Sequence, residues 1–194
     1  MDDLSPKAIE ILMRAQSLLA TGGYNGFSYA DISDSVGISK ASIHHHFPSK
    51  AELVETAVRR YREAALAGMA ALERQVSDPR AQLNAYVSYW ANCLRDDAAP
   101  ICICAMLAAE LPSIPRQVAD QVRHYFGDFA KWIAAVLARG VKEGVFHLRA
   151  SAKAEAMTLV ATFHGAMLSA RVLGDAEVFR SIVQPALKRL SNED

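Results

Sequence analysis

Apolar residues in the first part of the chain recur at spacings of three and four positions, the period of an amphipathic α-helix. The first such stripe consists of Ala8, Ile11, Leu12, Ala15, Leu18 and Leu19. Ser5 and Pro6 before it suit an N-cap and a first helical position, and the pair Gly22-Gly23 suits a helix end. The pattern therefore predicts a first helix that begins at Pro6 and ends at the glycine pair.

Two short helices and one long helix follow in the same pattern. Ser28 and Asp31 form a capping-box pair for a short second helix that stops at Gly37. A third helix is predicted over residues 40–46, and a Ser-x-x-Glu capping box opens a fourth over about 49–75. Two short helices joined through a glycine have the form of a helix-turn-helix.

The rest of the chain carries only helical patterns. Five further helices are predicted, at about 80–96, 101–110, 115–143, 152–173 and 176–191. Strand-like alternation is absent, so we expect an all-α protein of about nine helices. We expect three parts: a three-helix helix-turn-helix module (1–50), a connecting helix (51–76) and a C-terminal helical domain (77–194).

Composition excludes several classes of protein. Hydrophobic residues make up 52 % of the 194 positions, enough to bury a core. Lys and Arg together number 21, as do Asp and Glu, and Met1–Arg62 holds seven basic and seven acidic residues. A polyanionic partner would therefore be met by local placement of charge. The longest apolar run, residues 98–109, is too short to span a bilayer, so we expect a cytoplasmic protein without a membrane partner.

Three consecutive histidines, His44, His45 and His46, are the most conspicuous candidate chemistry. Neighbouring helical side chains point about 100° apart, so the three cannot converge on one metal ion. Common enzyme motifs are missing from the sequence, and we expect neither catalysis nor a cofactor or metal. With Ile43 and Phe47 turned to the core, Ala41 and His45 face outward. Contact with DNA and an ordinary solvated helix surface both remain open for this face.

About residues 6–60 resemble the DNA-binding module of the TetR/AcrR family of transcriptional regulators. The resemblance is carried by Gly23-Tyr24, Ser28, Asp31-Ile32, Val36-Gly37-Ile38-Ser39, Ile43, His46-Phe47-Pro48-Ser49-Lys50 and Leu53. Two positions depart from the usual pattern: His44 stands where tyrosine is common, and Ser33 where a small residue usually follows Asp-Ile. The resemblance implies a homodimer that binds a palindromic double-stranded DNA operator, one helix-turn-helix per half-site.

The resemblance also implies roles for individual residues. Base edges in the major groove would be faced by Lys40, Ala41, Ser42 and His45. Phosphates would be held by Ser28, Tyr29, His44, His46 and Lys50. The core of the module would consist of Ile32, Val36, Ile38, Ile43, Phe47 and Leu53.

For the C-terminal part, the resemblance implies a small-molecule effector and a dimer formed by the last two helices. Candidate effector contacts are Trp90, Cys93, Met106, Phe126, Phe129, Trp132, Phe163 and His164. Candidate dimer contacts are Met157, Phe163, Met167 and Val178. Ordinary core packing is the alternative for both sets.

The expected function is a regulator, favoured as a repressor released from its operator by a small molecule. Two alternatives stay open: a regulator that senses oxidants or electrophiles through Cys93, Cys102 or Cys104, and a helical adaptor that does not bind DNA.

Overall fold

The computed structural model describes residues 4–95 and 101–191, and every regular element within these ranges is an α-helix. The helices are α1 (Pro6–Gly22), α2 (Tyr29–Val36), α3 (Lys40–His46), α4 (Lys50–Gln75), α5 (Pro79–Arg95), α6 (Ile103–Ala109), α7 (Arg116–Lys142), α8 (Ala152–Leu173) and α9 (Glu177–Lys188). The all-α prediction is confirmed, and the predicted bounds agree with these to within a few residues. The predicted break at Asp96-Asp97 lies outside the described residues.

The chain divides into two compact units. The first consists of the N-terminal residues up to Ala64 together with Cys102–Tyr125. Its core is formed by side chains with 0 % exposure from α1 to α4: Ile11, Leu19, Ile32, Ile43 and Leu53. Burial of each such side chain stabilises the fold by roughly 1.5–3 kcal/mol.

α6 belongs to this first unit, where it packs against α1. Leu107 of α6 is fully buried, and in the adjoining part of α7 the ring of Tyr125 lies 5.7 Å from that of Tyr61. The sequence pattern predicts domain boundaries at residues 50 and 76. The compact units follow a different division, because α4 and α7 each contribute residues to both.

The second unit consists of Ala65–Ile101 and the residues from Phe126 onward. In it α9 packs against α8 and α5. At the end of α7, the ring of Phe146 lies directly on Gly140: a Cβ at that glycine would lie 2.1 Å from Phe146 Cδ2. Only glycine therefore allows the chain after α7 to fold back in this way.

α8 is apolar on more than one face. By length and composition alone it could cross a membrane, although polar residues interrupt its apolar positions. Phe163 and Met167 of α8 are nevertheless fully buried inside the second unit. The buried face belongs to the protein core, and the helix carries further apolar residues on its outer face.

Candidate nucleic-acid interface

The start of α2 is fixed by reciprocal hydrogen bonds. The Ser28 hydroxyl accepts from the Ala30 N–H at 3.2 Å, and the Ser28 N–H donates to Asp31 Oδ2 at 2.7 Å. The Ser28 hydroxyl also donates to the same carboxylate oxygen at 2.8 Å. These bonds, the side-chain bond first, lower the pKa of Asp31. The predicted capping box is confirmed.

The turn between α2 and α3 depends on a glycine and a serine. Gly37 has φ of 69°, the left-handed conformation, and its N–H donates to the Ser33 carbonyl at 2.9 Å. The Ser33 hydroxyl donates to the carbonyl of Ile38 at 2.5 Å. Ser33, one of the two departures from the family pattern, thus gains a local role: its hydroxyl closes the turn that sets the direction of α3.

α3 has one buried side and one exposed side. The Ser39 hydroxyl accepts from the Ser42 N–H at 3.1 Å and caps the helix. Ile43 is fully buried, and Phe47, directly after the helix, is 4 % exposed. The predicted base-facing residues Lys40, Ala41 and His45 are exposed, and Ser42 is half-buried. Among the predicted core residues, Val36 and Ile38 are only half-buried.

The three histidines have different surroundings. The Nδ1 of His44 lies 3.1 Å from the carbonyl oxygen of Pro48, which accepts a hydrogen bond only if Nδ1 carries a proton. The ring of His44 also lies 4.7 Å from that of Tyr29. His45 and His46 meet edge to face, with ring centroids 5.4 Å apart. A phosphate contact through His44 Nε2 would require a second proton on that ring.

Tyr29 does not suit the phosphate contact predicted for it. The residue is 9 % exposed, and its hydroxyl donates to the carbonyl of Phe47 at 2.8 Å. Burial, with smaller contributions from Glu52 and Tyr24, raises the pKa of Tyr29 to about 12. The hydroxyl joins the start of α2 to the end of α3, so we assign Tyr29 to the core of the module.

The side chain of Lys50 is also placed differently from the predicted phosphate contact. Its ammonium donates to the carbonyl of Phe27 and lies 4.3 Å and 4.7 Å from the ring centroids of Phe27 and Tyr24. Burial lowers the pKa of Lys50, against the opposing effect of Glu110 and Asp31. The positive charge of Lys50 therefore stabilises the α1–α2 loop through its contacts with Phe27 and Tyr24. Of the predicted phosphate contacts, Ser28 and His44 are exposed and His46 is half-buried.

Sequence reasoning missed the carboxylate of Glu110, at the end of α6. Its Oε2 accepts a hydrogen bond from the Tyr24 N–H at 2.6 Å. The preceding Gly23 has φ of 72°, and a Cβ there would lie 2.5 Å from the same oxygen. No local pattern signals this contact, because the two partners are 86 residues apart.

In the second unit, most of the predicted effector residues form one aromatic cluster. The Tyr86 ring lies 5.0 Å from Phe129, 5.7 Å from Trp132 and 5.4 Å from Phe163. The His164 ring lies 4.6 Å from Phe126 and 5.8 Å from Phe129. Tyr86 is central and was missed, although its i,i+4 spacing from Trp90 was visible in the sequence.

The other predicted effector residues are placed differently. Trp90 is buried and its ring meets that of Tyr89 at 5.6 Å, while Cys93 is half-buried. Met106 lies on α6 in the first unit, so it is not part of this cluster. Within the described ranges, the buried Nε1 of Trp132 has no hydrogen-bond partner.

Two of the four predicted dimer contacts are core residues of the single chain. Phe163 and Met167 are 0 % exposed within a single chain, so they fill the core and cannot form a surface. Met157 is 54 % exposed, and Val178 is half-buried. The outward face of α8 instead carries a stripe of exposed, mainly apolar positions at spacings of four, four, three and four: Met157, Ala161, Gly165, Leu168 and Val172.

The cysteine pair at the start of α6 is deeply buried. Cys102 and Cys104 both have 0 % exposure. Burial, followed by a hydrogen bond with Cys102, raises the pKa of Cys104 well above its ordinary value. A raised pKa lowers the thiolate fraction, which is the reactive form.

The capped helix pair, the left-handed glycine between them and the exposed face of α3 define a helix-turn-helix DNA-binding protein. Comparison with known proteins agrees with this class. The family model described as "Bacterial regulatory proteins, tetR family" matches residues 11–57, and "Tetracyclin repressor-like, C-terminal domain" matches 79–185. The chain belongs to the TetR family of transcriptional regulators.

Individual relatives agree with this membership. The crystal structure of a TetR-family transcriptional regulator from Agrobacterium tumefaciens is 51 % identical, with a TM-score of 0.94 over 95 % of this chain and 97 % of that one. The HTH-type transcriptional repressor KstR2 of Rhodococcus jostii is 29 % identical over 75 % of this chain and 72 % of its own. The HTH-type transcriptional activator FasR of Mycolicibacterium smegmatis is 27 % identical over 46 % of this chain and 41 % of its own. The protein is a DNA-binding transcriptional regulator, and its family is one of regulators and not of enzymes.

Proposed function

We propose that the protein is a cytoplasmic homodimeric repressor whose α3 reads the major groove of a palindromic operator, and that a small molecule bound in the second unit releases it. The single observation that carries the DNA-binding part is the exposed face of α3. Lys40, Ala41 and His45 share this face, and the Ser39 cap and the Ile43 anchor fix its orientation.

The proposed contacts divide by chemistry. Lys40 donates to guanine O6 or N7, the Ala41 methyl touches a thymine methyl, and Ser42 and His45 contact neighbouring base edges. Ser28, His44 and His46 lie beside the phosphates and set the register. Tyr29 and Lys50 are left out of this set because their polar groups bind the carbonyls of Phe47 and Phe27.

Dimerisation is proposed through the outer face of α8. Leu168 is 44 % exposed and Val172 83 %, and Ile182 of α9 is 37 % exposed. Large exposed apolar residues in one stripe favour association, since water is removed from them on contact. A dimer also brings two copies of α3 to the two half-sites of an operator.

The effector is proposed to bind at the aromatic cluster of Tyr86, Phe129, Trp132 and Phe163. Flat rings favour a ligand with an apolar or aromatic body. The buried Nε1–H of Trp132 offers one directional donor to such a ligand. Release from DNA then needs an effector that binds the DNA-incompetent state more tightly, and a ratio of about 100 corresponds to roughly 2.7 kcal/mol.

The cysteine-sensing alternative is less well supported than the small-molecule one. Cys102 and Cys104 are inaccessible, and the raised pKa of Cys104 disfavours attack on an electrophile. The adaptor alternative rests on the neutral charge of the chain, and the experiment below distinguishes it.

The test measures fluorescence anisotropy of labelled DNA with the purified full chain. The DNA is the region upstream of its own gene, with a scrambled duplex and a random selection pool alongside. We expect tight binding to one sequence, with affinity that falls steeply as salt rises. No binding at low salt to the upstream DNA or to any sequence from the random pool, beyond that to the scrambled duplex, would overturn the proposal in favour of the adaptor.

A further inference from the structure

The α1–α2 loop, residues 23–27, runs directly into the Ser28 cap of α2. A Cβ at Gly26 would collide with the carbonyl oxygen of Gly22, so only glycine allows the loop to pack this closely against the end of α1. Because Ser28 follows Phe27 without an intervening residue, the position of this loop sets the position of the first turn of α2.

Two side chains of opposite charge hold the two ends of this loop. At its start, the Tyr24 N–H donates to Glu110 Oε2 at 2.6 Å. At its end, the Lys50 ammonium donates to the Phe27 carbonyl. Burial lowers the pKa of Lys50 and the Glu110 carboxylate opposes that shift, so the ammonium and the carboxylate stabilise each other.

The backbone of Glu110 is itself fixed on both sides. Its N–H donates to the Leu107 carbonyl at 3.0 Å, and its carbonyl accepts from the Ser113 N–H at 2.8 Å and from the Ser113 hydroxyl at 3.0 Å. Leu107 is fully buried, and α6 packs against α1. The carboxylate therefore reaches the loop from a backbone that is already ordered.

Ser28 is the residue through which this fixed loop bears on DNA binding. It caps α2, is exposed and is one of the proposed phosphate contacts. A segment that is ordered in the free protein loses no further conformational freedom when it meets a phosphate, whereas ordering a mobile segment costs affinity. A loop that is correctly placed in only a fraction of the free molecules lowers the apparent affinity by that fraction.

We propose that Glu110 is a positioning residue for operator binding: its carboxylate holds the α1–α2 loop so that Ser28 meets the phosphate backbone in a preformed position. Glu110 itself does not touch the DNA. The inference rests on the proposed phosphate role of Ser28, and it gives the end of α6 a part in operator affinity. A carboxylate that acted through its charge alone would have the opposite effect, because a negative charge in the DNA-binding unit repels phosphates.

Anisotropy titrations test the proposal on the DNA sequence that the wild type selects, with full-length Glu110→Ala and Glu110→Gln at a temperature where circular dichroism shows each to be folded. Alanine removes the acceptor for the Tyr24 N–H, whereas glutamine keeps an uncharged oxygen that can accept from it. Asp34→Asn is the charge control, because Asp34 is an exposed carboxylate on α2 in the same unit. Val136→Ala is the stability control, because it opens a small cavity in the core of the second unit, away from the loop.

We expect about tenfold weaker operator binding for Glu110→Ala and about threefold weaker binding for Glu110→Gln, since a neutral acceptor replaces only part of a charged one. Asp34→Asn and Val136→Ala should each change the affinity by less than about twofold. The slope of log affinity against log salt should be the same in both Glu110 variants as in the wild type, because no phosphate contact is removed.

Operator binding by Glu110→Ala as tight as by the wild type would overturn the proposal. Tighter binding by both Glu110 variants would show a charge effect in place of positioning, and an equal loss of affinity in Val136→Ala would show that reduced stability alone weakens binding. A salt slope altered by about 1 in Glu110→Gln would mean that a phosphate contact is gained or lost instead. Each of these results leaves the proposed function standing, whereas a wild type that selects no DNA sequence overturns that function and this inference with it.

Discussion

The carboxylate of Glu110, at the end of α6, accepts a hydrogen bond from the backbone N–H of Tyr24 in the α1–α2 loop at 2.6 Å. The same carboxylate fills the space above Gly23, and its negative charge acts on the Lys50 ammonium. The loop before the helix-turn-helix is therefore held by a side chain from a helix 86 positions further along the chain.

Glu110→Ala is expected to destabilise the protein by about 2 kcal/mol, because the partly buried Tyr24 N–H loses a charged acceptor. For a chain of this size the midpoint of thermal unfolding should fall by roughly 4–8 °C. Circular dichroism recorded against temperature measures this midpoint. Glu143→Ala is the control, since Glu143 is exposed at the end of α7. Equal shifts in the two variants would mean that the Glu110 contact contributes nothing.

Tyr29→Phe is expected to lower the free energy of unfolding by about 1 kcal/mol at pH 7, through loss of the bond to Phe47. The pKa of Tyr29 is raised from 10.0 to about 12, so the folded state binds more protons than the unfolded state between these values. The contribution of the Tyr29 hydroxyl to the free energy of unfolding is fully present below pH 10 and is lost as the pH rises towards 12.

Between pH 10 and about 12, the free energy of unfolding should therefore fall less for the Tyr29→Phe variant than for the wild type. Urea unfolding at a series of alkaline pH values measures the difference. Tyr89→Phe, at a tyrosine that is 60 % exposed, provides the control and should follow the wild type. A Tyr29→Phe curve parallel to the wild-type curve would contradict the assigned pKa.

Lys50→Met distinguishes the structural role of Lys50 from the phosphate contact first predicted. A lysine that neutralises one phosphate adds about 0.9 to the slope of log affinity against log salt. Because the ammonium binds Phe27, we expect an unchanged slope and a less stable protein. Anisotropy titrations at several salt concentrations measure the slope. A decrease of about 1 would restore Lys50 to the phosphate-contacting set.

Leu168→Glu/Val172→Glu is expected to convert the proposed dimer into a folded monomer, because two charges would be buried in its interface. Light scattering after size-exclusion chromatography reports the mass, and circular dichroism reports the helix content. Val141→Glu is the control, because Val141 is also exposed and apolar but lies on α7. A double variant that remains dimeric would exclude the outer face of α8.

The helices were predictable because their signals are local. Caps at Ser5, Ser28 and Ser39 and the apolar period fixed their positions, and the structure agrees. The exposed face of α3 followed from the same period. The phosphate set was less predictable: whether Lys50 points to solvent or to Phe27 depends on the α1–α2 loop, which no short pattern specifies.

Non-local packing accounts for the other differences. Phe163 and Met167 were assigned to a dimer because α8 is apolar on two faces, and sequence alone could not say which face its own unit covers. Tyr86 and Glu110 were missed because their partners lie on distant helices. The position of α6 within the first unit has the same origin.

The most direct test of the central claim compares wild type with Lys40→Ala/His45→Ala on the selected operator and on a scrambled duplex. If the exposed face of α3 reads bases, the double variant should lose most of the preference for the operator, at roughly 1–3 kcal/mol per base contact. Its affinity for the scrambled duplex should change much less. Lys131→Ala, which removes an exposed cation from α7, should leave both affinities unchanged. An undiminished preference in Lys40→Ala/His45→Ala would contradict the assignment of α3 as the reading helix.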